Sequence, residues 1–482
     1  MRAKLSKLLS ISVIYLAAPV EQASAISIND EIASTNEEIA ANYDSSNTYS
    51  FVVGLINGKS TTCTGSLINP RTILTAAHCS IDTSSTKITF SPTSENSVSI
   101  SGFVKNGPSD FSKDDIALIA LKNPVYKVDP ISLNKVANGG ISLGTTLYMA
   151  GYGLAGNGTS CCIPDDNRRR YAETSLGEYK DKQYFAQFRN PTPPPNTDYY
   201  SVLDNIPVPK KSGGPRAGDS GGPLWITLAD GSFLQIGELD GGVSGKGLYG
   251  TRDAWTSVAD YQTWIAQNNP LREYASKAGK GLLWSSVSTW YDMTLATSLD
   301  PNPAASTAPN NQVSGNLARY YNVTIATPDT DIALDKAAEI DTLTISNSSA
   351  KLTIRKGFTL STNGLTKVSA GVIDVLGTLG KKTTVEIPSV VKVYAGGRLE
   401  GTGTVLSDVY ADNYSVLSGG LQGSTGQLQL KGNLIQNKDP AFLEVEISKV
   451  DNDLIEVGGV AAIGGDVAAV VEHGAAAHLL GR

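Results

Sequence analysis

Apolar residues recur along this chain in short runs, broken by small and polar residues at close intervals. Residues 51–56, 72–76, 87–90, 115–121, 146–150 and 234–239 are rich in β-branched and apolar side chains, with Gly, Asn, Ser and Pro between them. That pattern predicts an all-β barrel or sandwich for residues 26 to about 270. Residues 261–268 read as a short helix stopped by Pro270. The Pro-rich stretch 191–195 reads as a surface loop, and 299–309 as a linker or exposed loop.

From about Asn311 the punctuation changes. Strand-like runs follow at 321–326, 341–346, 351–355, 371–376, 390–394, 427–430 and 442–447. Glycines at 371, 377, 396, 397, 401, 403, 419 and 420 mark the bends between them. Alternation is plain in Leu343-Thr344-Ile345 and Leu352-Thr353-Ile354, and no helical period of about 3.6 runs through the segment. Regular short strands with little helix predict a solenoid, a right-handed parallel β-helix; an array of β-sandwiches is the alternative. The expected organisation is a leader at 1–25, a first domain at 26–270, a linker or cap at 271–310 and a β-helix-like stalk at 311–482.

The leader reading rests on order. Arg2, Lys4 and Lys7 precede a short apolar stretch at 8–20, and Ala23-Ser24-Ala25 then offers small residues for cleavage. The stretch falls short of the ~20 residues that span a bilayer. A buried N-terminal helix is the competing reading. Cleavage would start the mature chain at Ile26.

The net charge of −7 argues against nucleic-acid binding, whose footprint is basic, and suits solubility. The four cysteines, Cys63, Cys79, Cys161 and Cys162, suggest disulfides in an exported protein. Cys79 adjoins His78, so a metal site has to be weighed. The other two histidines, His473 and His478, lie far away in the tail, and no C-x-x-C or H-E-x-x-H pattern occurs. A metal is therefore not expected, nor any cofactor.

Three segments carry chemistry: Leu74-Thr75-Ala76-Ala77-His78-Cys79, Asp114-Asp115-Ile116-Ala117-Leu118-Ile119 and Ala217-Gly218-Asp219-Ser220-Gly221-Gly222-Pro223-Leu224. A serine hydroxyl is a weak nucleophile at neutral pH and needs a base. Imidazole titrates in the right range, and a buried carboxylate can fix its tautomer and stabilise the cation that forms. Glycines beside the serine let the backbone aim N–H groups at a developing oxyanion, here from Gly218 and Ser220. Singly, each segment reads as a structural His, a turn Asp or a loop. Together, in this order, they predict His78 as base, Asp115 as its partner and Ser220 as nucleophile. Asp114 is the alternative acid, but Asp115 directly precedes the apolar run.

On those residues the chain from about Tyr49 to Asn268 resembles the trypsin/chymotrypsin family of serine peptidases. Cys63-Thr64-Gly65-Ser66-Leu67-Ile68, Gly151-Tyr152-Gly153 and Trp255-Thr256-Ser257-Val258 with Tyr261, Trp264 and Ile265 add to the likeness. The resemblance implies two antiparallel β-barrels with the triad between them, protein or peptide substrates cleaved through an acyl-enzyme, and a disulfide between Cys63 and Cys79. Cys161 and Cys162 could bridge each other, stay reduced or pair between chains. Two departures matter. Where relatives of cationic specificity carry an Asp six residues before the nucleophile, this chain has Gly214 in the specificity pocket, with basic Lys210, Lys211 and Arg216 nearby. An uncharged, small or apolar residue is therefore expected before the scissile bond. The family's Ile-Val-Gly-Gly start is also missing, and Ile26, freed by leader cleavage, could bury its amino group against Asp219 instead.

The tail Asp451-Asn452-Asp453-Leu454-Ile455-Glu456-Val457-Gly458-Gly459-Val460, with Ala461 to Val467, resembles passenger domains of Gram-negative autotransporters. That likeness implies export to the periplasm or outer surface, association with the cell surface and a C-terminal membrane barrel. No run of alternating ~10-residue segments follows before Arg482, so the reading expects a fragment, a truncated product or a secreted protein without a barrel. The competing function is a surface adhesin or binding protein with an inactive protease-like head. An intact triad favours the enzyme.

Overall fold

The apolar runs of the N-terminal half close into two barrels. The computed structural model describes residues 26–471, except 59, 94–96, 107–113, 137–139, 161–162, 164–165, 193–197, 243–246, 315–316, 385–387, 413, 437–441, 448–450 and 465. The leader, Cys161, Cys162, His473, His478 and most of the Pro-rich run thus lie outside the described residues.

In the first barrel the antiparallel order is Val52–Asn57, Ser60–Asn69, Thr72–Thr75, Ile116–Leu121, Ser97–Asn106 and Lys87–Thr89, which returns to Val52–Asn57. Closure leaves no free edge. Ile116–Leu121 is buried at every position, as a strand must be when one face lines a barrel and the other meets a neighbouring body. The second barrel runs Pro223–Thr227, Thr146–Gly151, Arg170–Lys180, Gln183–Gln187, Arg252–Ser257 and Phe233–Gly242, and closes through the pairing of Phe233–Gly242 with Pro223–Thr227. Between the barrels Trp225 is fully buried, with Tyr49, Phe51 and Phe233 packed around its ring. The helix predicted near 261–268 is Gln262–Asn268.

Beyond it the chain coils into a parallel β-helix. Strand pairing carries one interior row from Val323 to Leu343, Thr366, Val391, Val409 and Leu434, all buried. A second face stacks Leu352, Ile373, Leu399 and Leu417, and a third Leu360, Leu379, Val405 and Leu430. Each coil alternates inward apolar and outward polar residues, which is why the sequence shows short period-two runs and no long repeat. The runs expected separately at 341–346 and 351–355 belong to one strand, Thr342–Ile354, which keeps its pairing while it turns the corner between two faces.

The stretch 271–310 opens this helix. Leu271–Ser276 pairs in parallel with Leu317–Ile325, directly after the helix Gln262–Asn268. Trp284 and Trp290 are buried edge to face, with ring centroids 4.9 Å apart. The segment read from its prolines as linker or exposed loop packs over them. The Trp284 indole N–H donates to the Pro309 carbonyl at 3.0 Å, and Asp292 N–H to that of Pro303 at 2.9 Å. Prolines here save backbone donors that such packing would otherwise have to satisfy.

Head and helix share a polar seam. Arg71, in the turn before Thr72–Thr75, sends Nε and Nη2 to the two carboxylate oxygens of Asp341, each at 2.6 Å, and both residues are buried. Tyr320 stacks on the guanidinium 3.7 Å from its carbon and donates its hydroxyl to Ser101 at 2.7 Å. The first barrel is thereby fixed to the first coils.

Candidate active site

His78 lies in a single 3₁₀ turn, Ala77–Cys79, that follows the buried strand Thr72–Thr75. Asp115 immediately precedes Ile116–Leu121. These two strands are paired, Thr75 opposite Ala117, so their ends bring the imidazole and the carboxylate together. His78 N–H donates to Asp115 Oδ1 at 2.7 Å, and the ring Nδ1 meets Oδ2. One fully buried carboxylate thus holds both backbone and ring. It selects the Nδ1–H tautomer, leaving Nε2 to exchange protons. Asp114 is otherwise engaged, by the Tyr261 hydroxyl.

Ser220 comes from the second barrel, in the turn that leads into Pro223–Thr227. The turn needs glycine: Gly218 has φ +90° and Gly221 φ +81°, and a Cβ on Gly221 would sit 2.1 Å from Thr75 Oγ1. Thr64, on the first barrel, clamps this turn. Its N–H donates to the Ser220 carbonyl at 2.8 Å, its hydroxyl donates to the Gly218 carbonyl at 2.9 Å and accepts from Tyr152 N–H at 3.0 Å. With those carbonyls engaged, the N–H groups of Gly218 and Ser220 have no acceptor among the described residues. His78, Gly218 and Ser220 line one cleft of about 610 Å³, a size typical of ligand sites.

A disulfide joins Cys63 to Cys79, with Cα atoms 6.1 Å apart, and so ties the strand that bears Thr64 to the His78 turn. Cys63, His78 and Cys79 cluster as metal ligands would, but the two sulfurs are bonded to each other.

Behind the nucleophile Asp219 is buried, and burial pushes its carboxyl up to about 7. Its oxygens accept from Gly153 N–H at 2.9 Å and Arg216 N–H at 2.8 Å. The segment that starts at buried Ile26 reaches the same wall through Ser27–Ile28, a strand seated between Gly156–Asn157 and Gly213–Gly214. Ser27 Oγ, the carbonyls of Asn157 and Gly247 and that of Ser160 accept from the Arg216 guanidinium.

Residues 41–265 match the Trypsin family model. This supports a trypsin-like serine peptidase over that stretch, whose two six-stranded antiparallel barrels are the architecture expected from the sequence.

Within the trypsin-like domain one expectation needs correcting. Gly214 is not among the residues that line the cleft: its backbone is paired with Ser27, and a Cβ there would meet Phe188 at 3.1 Å. The wall is built one step on, by Pro215 and Arg216. Of the basic neighbours only Arg216 lines the cleft, and its guanidinium donates to the carbonyls of Asn157, Ser160 and Gly247. Lys211 lies 3.4 Å over the Tyr171 ring, and neither Lys210 nor Lys211 lines the cleft. The charged lining the sequence did not single out is acidic, Asp240 and Asp253, and both are buried. Asp240 accepts from the Gln183 amide and lies within 4.8 Å of ligand-type atoms of His78 and Asp115. Close by, Glu238 is fully buried, with no hydrogen bond to either oxygen among the described residues, and burial raises its carboxyl well above the usual range. Nothing in a lone Glu, Asp or Gly-Gly along one strand signals such a cluster; only the closure of the barrel brings these residues to the triad.

Proposed function

We propose that the protein is an exported serine endopeptidase that cleaves peptide bonds through an acyl-enzyme. Ser220 Oγ attacks the scissile carbonyl. His78 Nε2 takes its proton and returns it to the leaving amine, and Asp115 orients the ring and stabilises the imidazolium. The N–H groups of Gly218 and Ser220 receive the oxyanion. The observation that carries this reading is the double hold of one buried carboxylate on His78, at the mouth of the cleft that Ser220 lines. The leader would direct export, and the β-helix would carry the head as an autotransporter-like stalk at the cell surface. Hydrolysis of unfolded casein tests the reading. The wild type should cleave it, and Ser220→Ala or His78→Ala should each lower kcat by several orders of magnitude while the fold is kept. Undiminished cleavage by Ser220→Ala would refute it.

A further inference from the structure

The turn that carries Ser220 is held on one side by Thr64 of the first barrel. Its other side rests on Arg216, a residue the proposed reaction does not use. Arg216 is only 5% exposed and precedes the nucleophile in the same turn. Its backbone closes that turn: Arg216 N–H donates to Asp219 Oδ2 at 2.8 Å, and Asp219 N–H donates back to the Arg216 carbonyl at 3.0 Å. Its guanidinium leaves the turn and reaches three other segments. Nε donates to Ser27 Oγ, and Nη2 to the carbonyls of Gly247 at 2.9 Å, Asn157 at 3.1 Å and Ser160 at 3.3 Å. Those segments are tied to one another. Ser27 and Ile28 pair with Gly156 and Asn157, Tyr249 N–H donates to the Gly158 carbonyl at 2.9 Å, and the Tyr249 hydroxyl donates to Asp30 at 2.5 Å. The space is cut to the side chain. A Cβ on Gly247, where φ is +49°, would sit 2.6 Å from Arg216 Cγ, and one on Gly156 would sit 2.7 Å from Nη2.

Burying a cation is costly, and burial pushes the ionisation of Arg216 down to about 10. A planar fork of N–H donors suits acceptors that converge from several directions. We infer that Arg216 is a positioning residue for the proposed oxyanion site: its guanidinium anchors the Ser220 turn to the strand Ser27–Ile28 and to the carbonyls of Asn157, Ser160 and Gly247, and so keeps the N–H groups of Gly218 and Ser220 on aim. The inference rests on the serine-peptidase reading of the cleft. With glycines at φ +90° and +81° on either side of Ser220, the turn has little stiffness of its own, and contacts at both ends supply it. Thr64 holds the carbonyls of Gly218 and Ser220, and Arg216 holds the entry to the turn. A misplacement of about 1 Å at reacting groups costs on the order of 100-fold in rate, comparable to the loss of one oxyanion donor.

Two measurements test this, one independent of catalysis. Arg216→Met keeps the apolar stem and removes the donors, while Ser27→Ala removes one acceptor and carries both tests should Arg216→Met not fold. Steady-state kinetics on a peptide should show kcat lowered about 100-fold in Arg216→Met and about 5-fold in Ser27→Ala, with KM within about twofold of the wild type. Affinity for a peptide boronic acid, which becomes tetrahedral on Ser220, should fall in parallel with kcat. A role in stability alone would lower the folded fraction and leave kcat per folded molecule and boronic-acid affinity unchanged; that result overturns the inference. The second measurement is amide hydrogen exchange on the Ser220→Ala protein, with and without Arg216→Met. Residues 216–222 should exchange at least about 10-fold faster in the double variant, while Ile116–Leu121 and Arg170–Lys180 keep their protection. Equal exchange in 216–222 also overturns the inference. A fluorophosphonate adduct at Ser220 in the wild type, with kcat untouched by Arg216→Met, would refute the inference and leave the serine-peptidase reading standing. Faster exchange in 216–222 with no adduct in the wild type would do the reverse.

Discussion

Replacing Asp341 by alanine removes the acceptor of the Arg71 guanidinium and leaves that cation buried in the seam between head and helix. Arg71 would keep its bonds to the carbonyls of Leu121 at 3.2 Å and Lys122 at 2.5 Å and its stacking on Tyr320, but no anion. Asn311 and Asn363, whose side-chain amides each donate to Asp341 at 3.0 Å, would lose a partner as well. Breaking one member of a buried pair costs about 3–5 kcal/mol. For a cooperative unit of 150–250 residues, each kcal/mol lowers Tm by about 2–4 °C, so a fall of roughly 6–20 °C is expected. The assay is urea and thermal unfolding followed by tryptophan fluorescence. Trp225 and Trp255 report on the head, and Trp284 and Trp290 on the first coil. Because the pair bridges the two bodies, both sets of signals should shift. The double variant Arg71→Met with Asp341→Leu should lose less than Asp341→Ala alone, since it leaves no buried charge. A loss below about 0.5 kcal/mol, the level of an ordinary surface substitution, would refute the claim that this bond couples head and helix.

Three further outcomes follow from the cleft. Glu238→Gln should flatten the pH dependence of stability: burial makes the folded protein hold a proton that the unfolded chain releases above about 4.3, so Glu238 makes stability fall as pH rises from there. Tm of the wild type should therefore drop more between pH 5 and pH 8 than that of the variant, and equal slopes would contradict the assignment. Thr64→Val removes two buried hydrogen bonds around the Ser220 turn and should cost about 1–3 kcal/mol in urea unfolding together with a fall in kcat; unchanged kcat would mean that Thr64 does not position the turn. Cys63→Ala with Cys79→Ala opens a loop with a sequence separation of 16 and should cost about 3 kcal/mol, read as a lower urea midpoint.

The proposed triad residues stand out in the sequence because they sit in short local motifs whose chemistry is carried by neighbours in sequence: Ala77-His78-Cys79, Asp115 before an apolar strand, and Ser220 among glycines. The two barrels and the coiled helix were legible from period-two runs. The acidic wall was not. Glu238, Asp240 and Asp253 belong to two strands, and their burial depends on barrel closure and on the bulge between Leu239 and Gly241, which no local pattern encodes. Arg71 and Asp341, 270 positions apart, gave no signal either, since a lone Arg in a turn and a lone Asp before a strand are ordinary surface residues until two bodies meet. The stretch 299–309 is an irregular and mostly exposed segment, as its composition suggested, but the burial of Pro303, Ala305 and Pro309 against the first coil was not legible there.

The central claim is that Ser220 is an activated nucleophile. Intact-mass and peptide-mapping mass spectrometry after treatment with a fluorophosphonate tests it most directly. The account predicts one adduct per chain, located on Ser220, formed slowly or not at all once His78 is replaced by alanine. A folded protein that forms no adduct, or forms it at another residue, would contradict it.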